Sequence, residues 1–216
     1  MVSSNEIGQR FVQHNNVIES AKKAGVKHII YTSLLGATND NTVKSLAGEH
    51  VETEAALKAS GITYTILRNG WYTENYTASI PAALANNAFY GSAKNGKISS
   101  VLRAELAEAA VNVALSEGHE NQTYELAGST SWTLADLAAE ISKQTGKGIP
   151  YVDIPAADYA AALVQAGLNE GFAGLIAQWD VDASNGALFS EDKTLDKLLG
   201  RPTAGLDVAV KQALDH

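Results

Sequence analysis

Apolar residues recur at close to helical spacing between about Asn5 and Ala24, at Ile7, Phe11, Val17, Ile18 and Ala21, and define one stripe to bury. Gly25 is placed to stop that helix, because glycine takes the left-handed conformation cheaply. The run Val26-Lys-His-Ile-Ile-Tyr-Thr32 then reads as a buried strand. The same order returns twice. A helix is predicted over roughly Gly48 to Ser60, a stop at Gly61, and a β-branched strand over Ile62 to Leu67. A third helix runs from about Arg103 to Ser116, Gly118 ends it, and Thr123 to Ala127 forms the next strand. Helix, glycine, strand, three times over, is the pattern of right-handed crossovers onto a parallel sheet. Ahead of it, Met1-Val-Ser-Ser-Asn5 reads as the last turn of a strand.

Thr133 with Asp136 three residues on resembles a capping box with Asp in place of Glu, and opens a helix to about Thr145. Beyond Ile154 the pattern is mostly helical, over about 156–166, 170–179, 192–199 and 205–214. The expected architecture is α/β: a Rossmann-like parallel sheet in residues 1–130, then a small, mainly helical lobe in 131–216, with no sharp boundary between them.

Composition narrows the function classes. The formal charge of −8 argues against a nucleic-acid footprint, which needs a basic face. With no cysteine there is no disulfide, thiolate chemistry or Cys-ligated metal. Apolar runs fall far short of the roughly 18 residues of a membrane span, and no signal peptide is visible, so a cytoplasmic location is expected. The glycosylation patterns at Asn75 and Asn121 are read as chance.

Ligands of open α/β sheets bind at the carboxyl ends of the strands. The second such end is unusual: Arg68, Asn69, Gly70, Trp71, Tyr72, Thr73, Glu74, Asn75 and Tyr76 follow an apolar strand directly. Amides and flat rings there suit a planar polar ligand with a carboxamide; a strand end whose aromatics cover the core edge is the competing reading. Three other patterns fail on inspection. Gly91 to Ile98 imitates a phosphate-binding loop but has Ile98 where a hydroxyl must hold magnesium. Tyr90 and Lys94 imitate a Tyr-x-x-x-Lys pair, yet Gly91, Asn95 and Gly96 make the segment a loop, where the two side chains are not stacked by a helix. His50 and Glu54 share a helix face but are too few for a metal site, so no metal is expected.

The runs Ala24-Gly-Val-Lys-His-Ile-Ile-Tyr-Thr-Ser-Leu34, Glu49-His-Val-Glu-Thr-Glu54 and Ser60-Gly-Ile-Thr-Tyr-Thr-Ile-Leu-Arg-Asn-Gly-Trp-Tyr-Thr-Glu-Asn-Tyr76 resemble the NmrA-like atypical short-chain dehydrogenases, in the branch of bacterial NAD(P)H:quinone oxidoreductase 2 and triphenylmethane reductase. Gly96-Lys-Ile-Ser-Ser100, Thr123-Tyr-Glu-Leu-Ala-Gly128, Trp132-Thr-Leu and Lys197-Leu-Leu-Gly200 agree, so the resemblance covers essentially the whole chain. It implies an NADPH-dependent reductase that passes hydride to quinones or similar flat acceptors. By position it implies cofactor contacts from Ser3, Ser4 and Asn5, from Asn69, Gly70, Trp71, Tyr72, Thr73 and Glu74, and from Ser100. Tyr31, His50, Tyr72, Asn75 and Tyr76 are expected to line the acceptor cleft. His50 is the candidate proton donor, with Tyr72 as a second catalytic candidate and with Trp71 and Tyr72 as a flat wall for the acceptor; a His on the helix surface is the alternative.

The family pattern begins with Gly-x-x-Gly-x-x-Gly after a first strand and an Arg that reads the 2′-phosphate. Judged against the usual dinucleotide-binding half, roughly 70 residues carrying these features are absent, which is expected to weaken cofactor binding and leave an open sheet edge. The Arg that would decide between NADPH and NADH lies in that segment. The competing functional expectation is a nucleotide-sensing regulator of the NmrA type, without turnover. A homo-oligomer is compatible with both.

Overall fold

The computed structural model describes residues 1–215. Its elements in chain order are α1 (Arg10–Lys23), β1 (His28–Leu34), α2 (Lys44–Ala59), β2 (Thr63–Asn69), α3 (Glu74–Thr77), α4 (Ile80–Asn86), β3 (Phe89–Gly91), α5 (Arg103–Leu115) and β4 (Gln122–Leu126). They continue with α6 (Leu134–Thr145), β5 (Tyr151–Asp153), α7 (Ala156–Gln165), α8 (Glu170–Ser184), α9 (Thr194–Leu199) and α10 (Leu206–Leu214).

The repeated helix–glycine–strand unit forms as its pattern requires. Strands β1, β2 and β4 lie side by side in that order, all parallel, with Tyr31 opposite Ile66 and Ile66 opposite Thr123. Successive side chains on a strand point to opposite faces. On β2, Ile66 therefore joins Ile18, Ile29, Tyr31 and Leu57 beneath α1 and α2. Its neighbour Leu67 joins Leu106, Ala109, Val113 and Leu195 beneath α5 and α9. Helices cover both faces, as a parallel sheet demands.

Met1 extends the sheet outward. Its amine donates to the Ile30 carbonyl at 2.5 Å, and its own carbonyl accepts from the Thr32 amide at 3.1 Å, a parallel bridge on the free side of β1. Met1 thus runs alongside β1, while residues 2–5 form no regular element. Val2, Val12 and Val17 lie exposed on this side.

Element limits differ most at α8, which runs on to Ser184, and at the starts of α1 and α2. α1 starts at Arg10, because residues 6–9 turn through Gly8 at φ +87°. α2 starts at Lys44, four residues early, because Leu46 and Ala47 are drawn into the core and carry Gly48 into the helix interior. At α6 the capping box is complete: Thr133 accepts from the Asp136 amide, and the Asp136 carboxylate accepts from the Thr133 amide at 2.8 Å.

A second sheet lies outside the expected pattern. β3 pairs in parallel with β5 and joins residues on either side of position 130. The largest apolar cluster does the same, with Trp71, Tyr76 and Phe89 packed with Trp132, Leu134, Leu137 and Ile141. The lobe is therefore continuous with the edge of the sheet domain where β2 ends.

Candidate functional site

The carboxyl ends of β1, β2 and β4 open on one side of the sheet, and the segment 98–101 threads across them. The Gly70 amide donates to the Leu126 carbonyl at 2.8 Å, the Gly128 amide to the Ser99 carbonyl at 3.0 Å, and the Val101 amide to the Trp71 carbonyl at 2.8 Å. Three backbones approach so closely that side chains are excluded. A β-carbon on Gly70 would sit 2.6 Å from the Leu126 oxygen, and one on Gly128 would sit 2.3 Å from the Ser100 oxygen. The same threading brings the Ser100 hydroxyl to 2.7 Å from the Thr73 hydroxyl. Residues 69–74 and Ser100, far apart in sequence, therefore meet.

Two of the unpartnered buried polar groups stand at the strand end and at the first residues. The Asn69 Oδ1 is sealed from solvent and accepts no hydrogen bond. At the Ser3–Asn5 segment, Arg10 donates through Nε to the Ser4 carbonyl at 2.7 Å, while its Nη1 is buried without an acceptor. Buried polar atoms are nearly always satisfied, so each is a place for a missing partner. One needs a donor and the other, being cationic, suits an anion.

Between these two positions lies a buried chain of histidines. The Ser4 amide donates to His14 Nε2 at 2.8 Å, which places the His14 proton on Nδ1, 3.0 Å from Thr53 Oγ1. Thr53 in turn donates to the Glu49 carbonyl at 2.7 Å. His14 Nδ1 is thus committed, and the Tyr31 hydroxyl shares its short hydrogen bond with His50 Nδ1 at 2.7 Å. With the Tyr31 hydroxyl as the donor in that bond, the His50 proton stands on Nε2. Burial and, after it, the positive charge of Arg10 pull the His50 pKa down to about 4. His50 is therefore neutral at pH 7.

A second buried set holds the strand ends in register. Arg68 grips Glu54 through Nε at 2.9 Å and Nη2 at 2.7 Å, and reaches Glu125 through Nη1 at 2.8 Å. Ser33 donates to Glu54 at 2.6 Å, and Glu125 accepts from the Gly36 amide at 2.8 Å. Burial pushes the Glu54 carboxyl up, but the hydrogen bonds from Arg68 and Ser33 outweigh it and hold the group below its ordinary range. Glu54 thus acts as a structural partner of Arg68, in keeping with the absence of any metal-binding group among the described residues.

The structure gathers Asn69, Gly70, Trp71, Thr73, Glu74 and Ser100 at one place, with Ser3, Ser4 and Asn5 on the far side of β1. Four expectations need correction. Tyr31 is fully buried and touches His50, so it supports that residue and does not line a cleft. Tyr72 and Asn75 face away from Trp71. The Arg103 guanidinium lies 3.8 Å over the Tyr72 ring and contacts Asn75 Oδ1 at 3.3 Å, on the α5 side. Consecutive residues of an extended chain point oppositely, so Trp71 and Tyr72 form no common wall, and Tyr72 does not stand beside His50. Tyr76 is a core residue, edge-on to Trp132 at 5.3 Å. Glu74 has a structural role as well: its Oε1 accepts from the Arg103 amide at 2.9 Å and caps α5, while Oε2 is buried and unpartnered.

Two residues escaped the sequence reading. Arg10 has a local signal, since a cation in the first turn opposes the helix dipole and asks for a reason. Trp179 has none: it meets Trp71 edge-on at 5.3 Å across more than a hundred residues. Tyr90 lies on β3 and Lys94 in the loop that follows, at φ +50°, so no helix stacks the two side chains. An apolar cavity of about 130 Å³ between α4, β3 and α7 is lined by no candidate site residue.

Comparison with known proteins places this arrangement. The NAD(P)H-binding family model matches residues 2–117. The chain is 54% identical to quinone oxidoreductase 2 of Escherichia coli over 97% of its own length and 73% of that protein's. The solved structure of that NADPH-dependent enzyme with NADPH superposes with a TM-score of 0.94, over 99% of this chain and 75% of the other. Triphenylmethane reductase of Citrobacter sp., 35% identical, superposes with a TM-score of 0.94 over 100% of this chain and 75% of the other. An NmrA-like family domain-containing oxidoreductase of Aspergillus flavus is 31% identical over 94% of this chain and 67% of its own length. With its parallel sheet, its strand-end site and these relatives, the chain belongs to the NAD(P)H-binding, NmrA-like family of oxidoreductases.

Proposed function

We propose that the protein is an NADPH-dependent reductase that passes hydride to quinones or similarly flat acceptors. The observation that carries this reading is the pair of unsatisfied buried groups, Asn69 Oδ1 and Arg10 Nη1, on either side of β1. They match in sign what a nicotinamide dinucleotide offers: an amide N–H at one end and phosphate oxygens further along. The Thr73 and Ser100 hydroxyls, bonded to each other at 2.7 Å, add polar groups to the same strand-end segment.

NADPH, when bound, would supply the hydride. The chain's own residues hold and orient. Asn69 accepts from the carboxamide. Trp71, packed in the core cluster, holds the segment that carries Asn69 in place. His50 Nε2–H donates a hydrogen bond to an acceptor oxygen. Tyr31 already occupies Nδ1, so Nε2 is the ring nitrogen left for the acceptor. A neutral imidazole with a conjugate-acid pKa near 4 is a hydrogen-bond donor and not an acid at pH 7. The quinone thus takes one hydride and one proton to become the hydroquinone, and the proton comes from solvent.

Residues 1–216 contain no Gly-x-x-Gly-x-x-Gly. A glycine turn and its helix N-terminus are the usual pyrophosphate site, so we propose that these residues hold NADPH weakly. Fluorescence titration with NADPH, beside NADPH oxidation with a quinone, tests both statements. Weak binding with quinone-dependent oxidation is the expected result. A dissociation constant in the low micromolar range would overturn the weak-binding statement. Tight binding without turnover would replace the reductase by a nucleotide sensor.

A further inference from the structure

Helix α5 is apolar on two sides. Its inner residues Leu106, Ala109 and Val113 pack with Leu67 of the sheet and Leu195 of α9. Its four polar side chains are all engaged within the chain. Arg201 donates to Glu105 at 2.6 Å and to Glu108 at 2.6 Å, and Asn112 Nδ2 donates to the Leu198 carbonyl at 2.9 Å. The Arg103 guanidinium rests on the Tyr72 ring. What remains on the outer face is Ala104, Ala107, Val111, Ala114 and Leu115, all exposed. Their spacing of three or four residues makes them one stripe. Val111 is 54% exposed and Leu115 83%, the most exposed large apolar side chain among the described residues. A helix that is apolar all round is ordinarily buried all round. Here one side is bare.

The stripe is complementary to itself when turned end for end. An antiparallel pair of α5 helices sets Ala104 opposite Leu115 of the second copy and Ala107 opposite its Val111. Each large side chain then meets a small one, so the axes can approach closely, and every contact occurs twice about a two-fold axis. Charge agrees with this direction. Arg103 begins the helix and Glu117 follows its end, both exposed, so the antiparallel pair brings each Arg103 toward the other copy's Glu117. The helix dipoles oppose each other favourably as well. A parallel pair would set Leu115 against Leu115 and Arg103 against Arg103, which like charge disfavours.

We propose that the outer face of α5 is the contact surface for a second copy of this chain, joined as a two-fold antiparallel helix pair. The assignment is independent of the reductase reading. A helix of 13 residues is about 20 Å long. One such pair lies at the small end of specific interfaces, under about 1,200 Å². The dimer is therefore weak, with a dissociation constant on the order of 10–100 µM.

The test is sedimentation velocity of the full chain from about 5 to about 500 µM, a range that brackets the expected constant. The sedimentation coefficient should rise with concentration toward the value for two chains. Val111→Glu and Leu115→Glu each put a carboxylate into both halves of the contact and should weaken the dimer more than about tenfold. Both positions are exposed, and glutamate forms helix as well as leucine and better than valine. The variants should therefore keep the circular dichroism and Tm of the unmodified chain at low concentration, which separates lost pairing from lost folding. Direction is tested by disulfide trapping, since the chain has no cysteine of its own. Ala104→Cys and Leu115→Cys chains are mixed in equal amounts and oxidised. Antiparallel pairing gives the mixed disulfide well above its statistical share of about half. A monomer at every concentration would overturn the proposal. So would a dimer that both glutamate variants leave intact, because the contact would then lie on another surface, or a trapped product made mainly of like-with-like disulfides.

Discussion

Replacing Arg68 by Met tests whether the ion pairs beneath the site hold the strand ends together. The substitution keeps the length and apolar stem of the side chain and removes the guanidinium. Glu54, only 3% exposed, then loses both hydrogen bonds from Arg68 and keeps only the Ser33 hydroxyl and a distant Lys58 ammonium at 3.8 Å. Glu125 suffers less, since it is partly exposed and retains the Gly36 amide. Leaving one member of a buried pair uncompensated costs about 3–5 kcal/mol. For a domain of this size each kcal/mol moves Tm by about 2–4 °C, so urea and thermal unfolding at pH 7 are expected to show a fall of about 6–20 °C. The pH dependence carries a second signature. Without Arg68, burial leaves the folded Glu54 carboxyl above its unfolded value, so the folded variant binds more protons and loses stability as pH rises. The gap to the unmodified protein therefore narrows between pH 7 and pH 5. Changing both partners together, Glu54→Leu with Arg68→Met, costs less than Arg68→Met alone, because no charge is left buried. A loss under about 1 kcal/mol at pH 7, or a gap that does not change with pH, would refute the reasoning.

Asp180 is buried, with its carboxyl pushed up to about 6 by burial, while accepting from the Ser92 amide at 2.8 Å. Its folded form takes up a proton more readily than its unfolded form, so stability falls as pH rises from about 4 to about 6. Asp180→Asn, which keeps an acceptor for Ser92, is expected to raise stability at pH 7 and to lose that advantage near pH 4 in urea titrations. His50 has the opposite sign: its folded pKa is depressed, the unfolded chain binds the extra proton, and its contribution is lost as pH falls from about 6.5 to about 4. The pH–rate profile for quinone reduction should accordingly stay level through pH 6.5, and a limb there would mean that His50 titrates normally. Gly128→Ala places a β-carbon 2.3 Å from a backbone oxygen and should cost about 1–3 kcal/mol by chemical denaturation. Gly174→Ala, with open space around it, should instead stabilise α8 by about 0.5–1 kcal/mol.

The sequence alone determined the features whose physics is local. Helical spacing and the glycine stops placed α1, β1, α2, β2, α5 and β4, and the order of those elements forced a parallel sheet. Thr133 and Asp136 marked the start of α6, because a capping box is complete within four residues. Asn69 and Gly70 could be assigned to a strand end, where such folds bind ligands. The tertiary structure decided which way those residues face and what they touch. Trp71 and Tyr72 are neighbours in sequence, yet one turns toward the lobe and the other beneath Arg103, because alternation on an extended chain separates them. Strands β3 and β5 are three residues long, too short to carry a period, and exist because each supplies the other's hydrogen bonds. From the sequence His50 reads as a proton donor or as a helix-surface residue, and its burial against Tyr31 appears only once α2 packs over β1. That packing removed the water that would have let the imidazole ionise, and a protonation state set by burial has no signature in the order of residues. The Trp71–Trp179 contact joins segments more than a hundred residues apart, and such a contact is specified by the summed packing of the core and by no local rule.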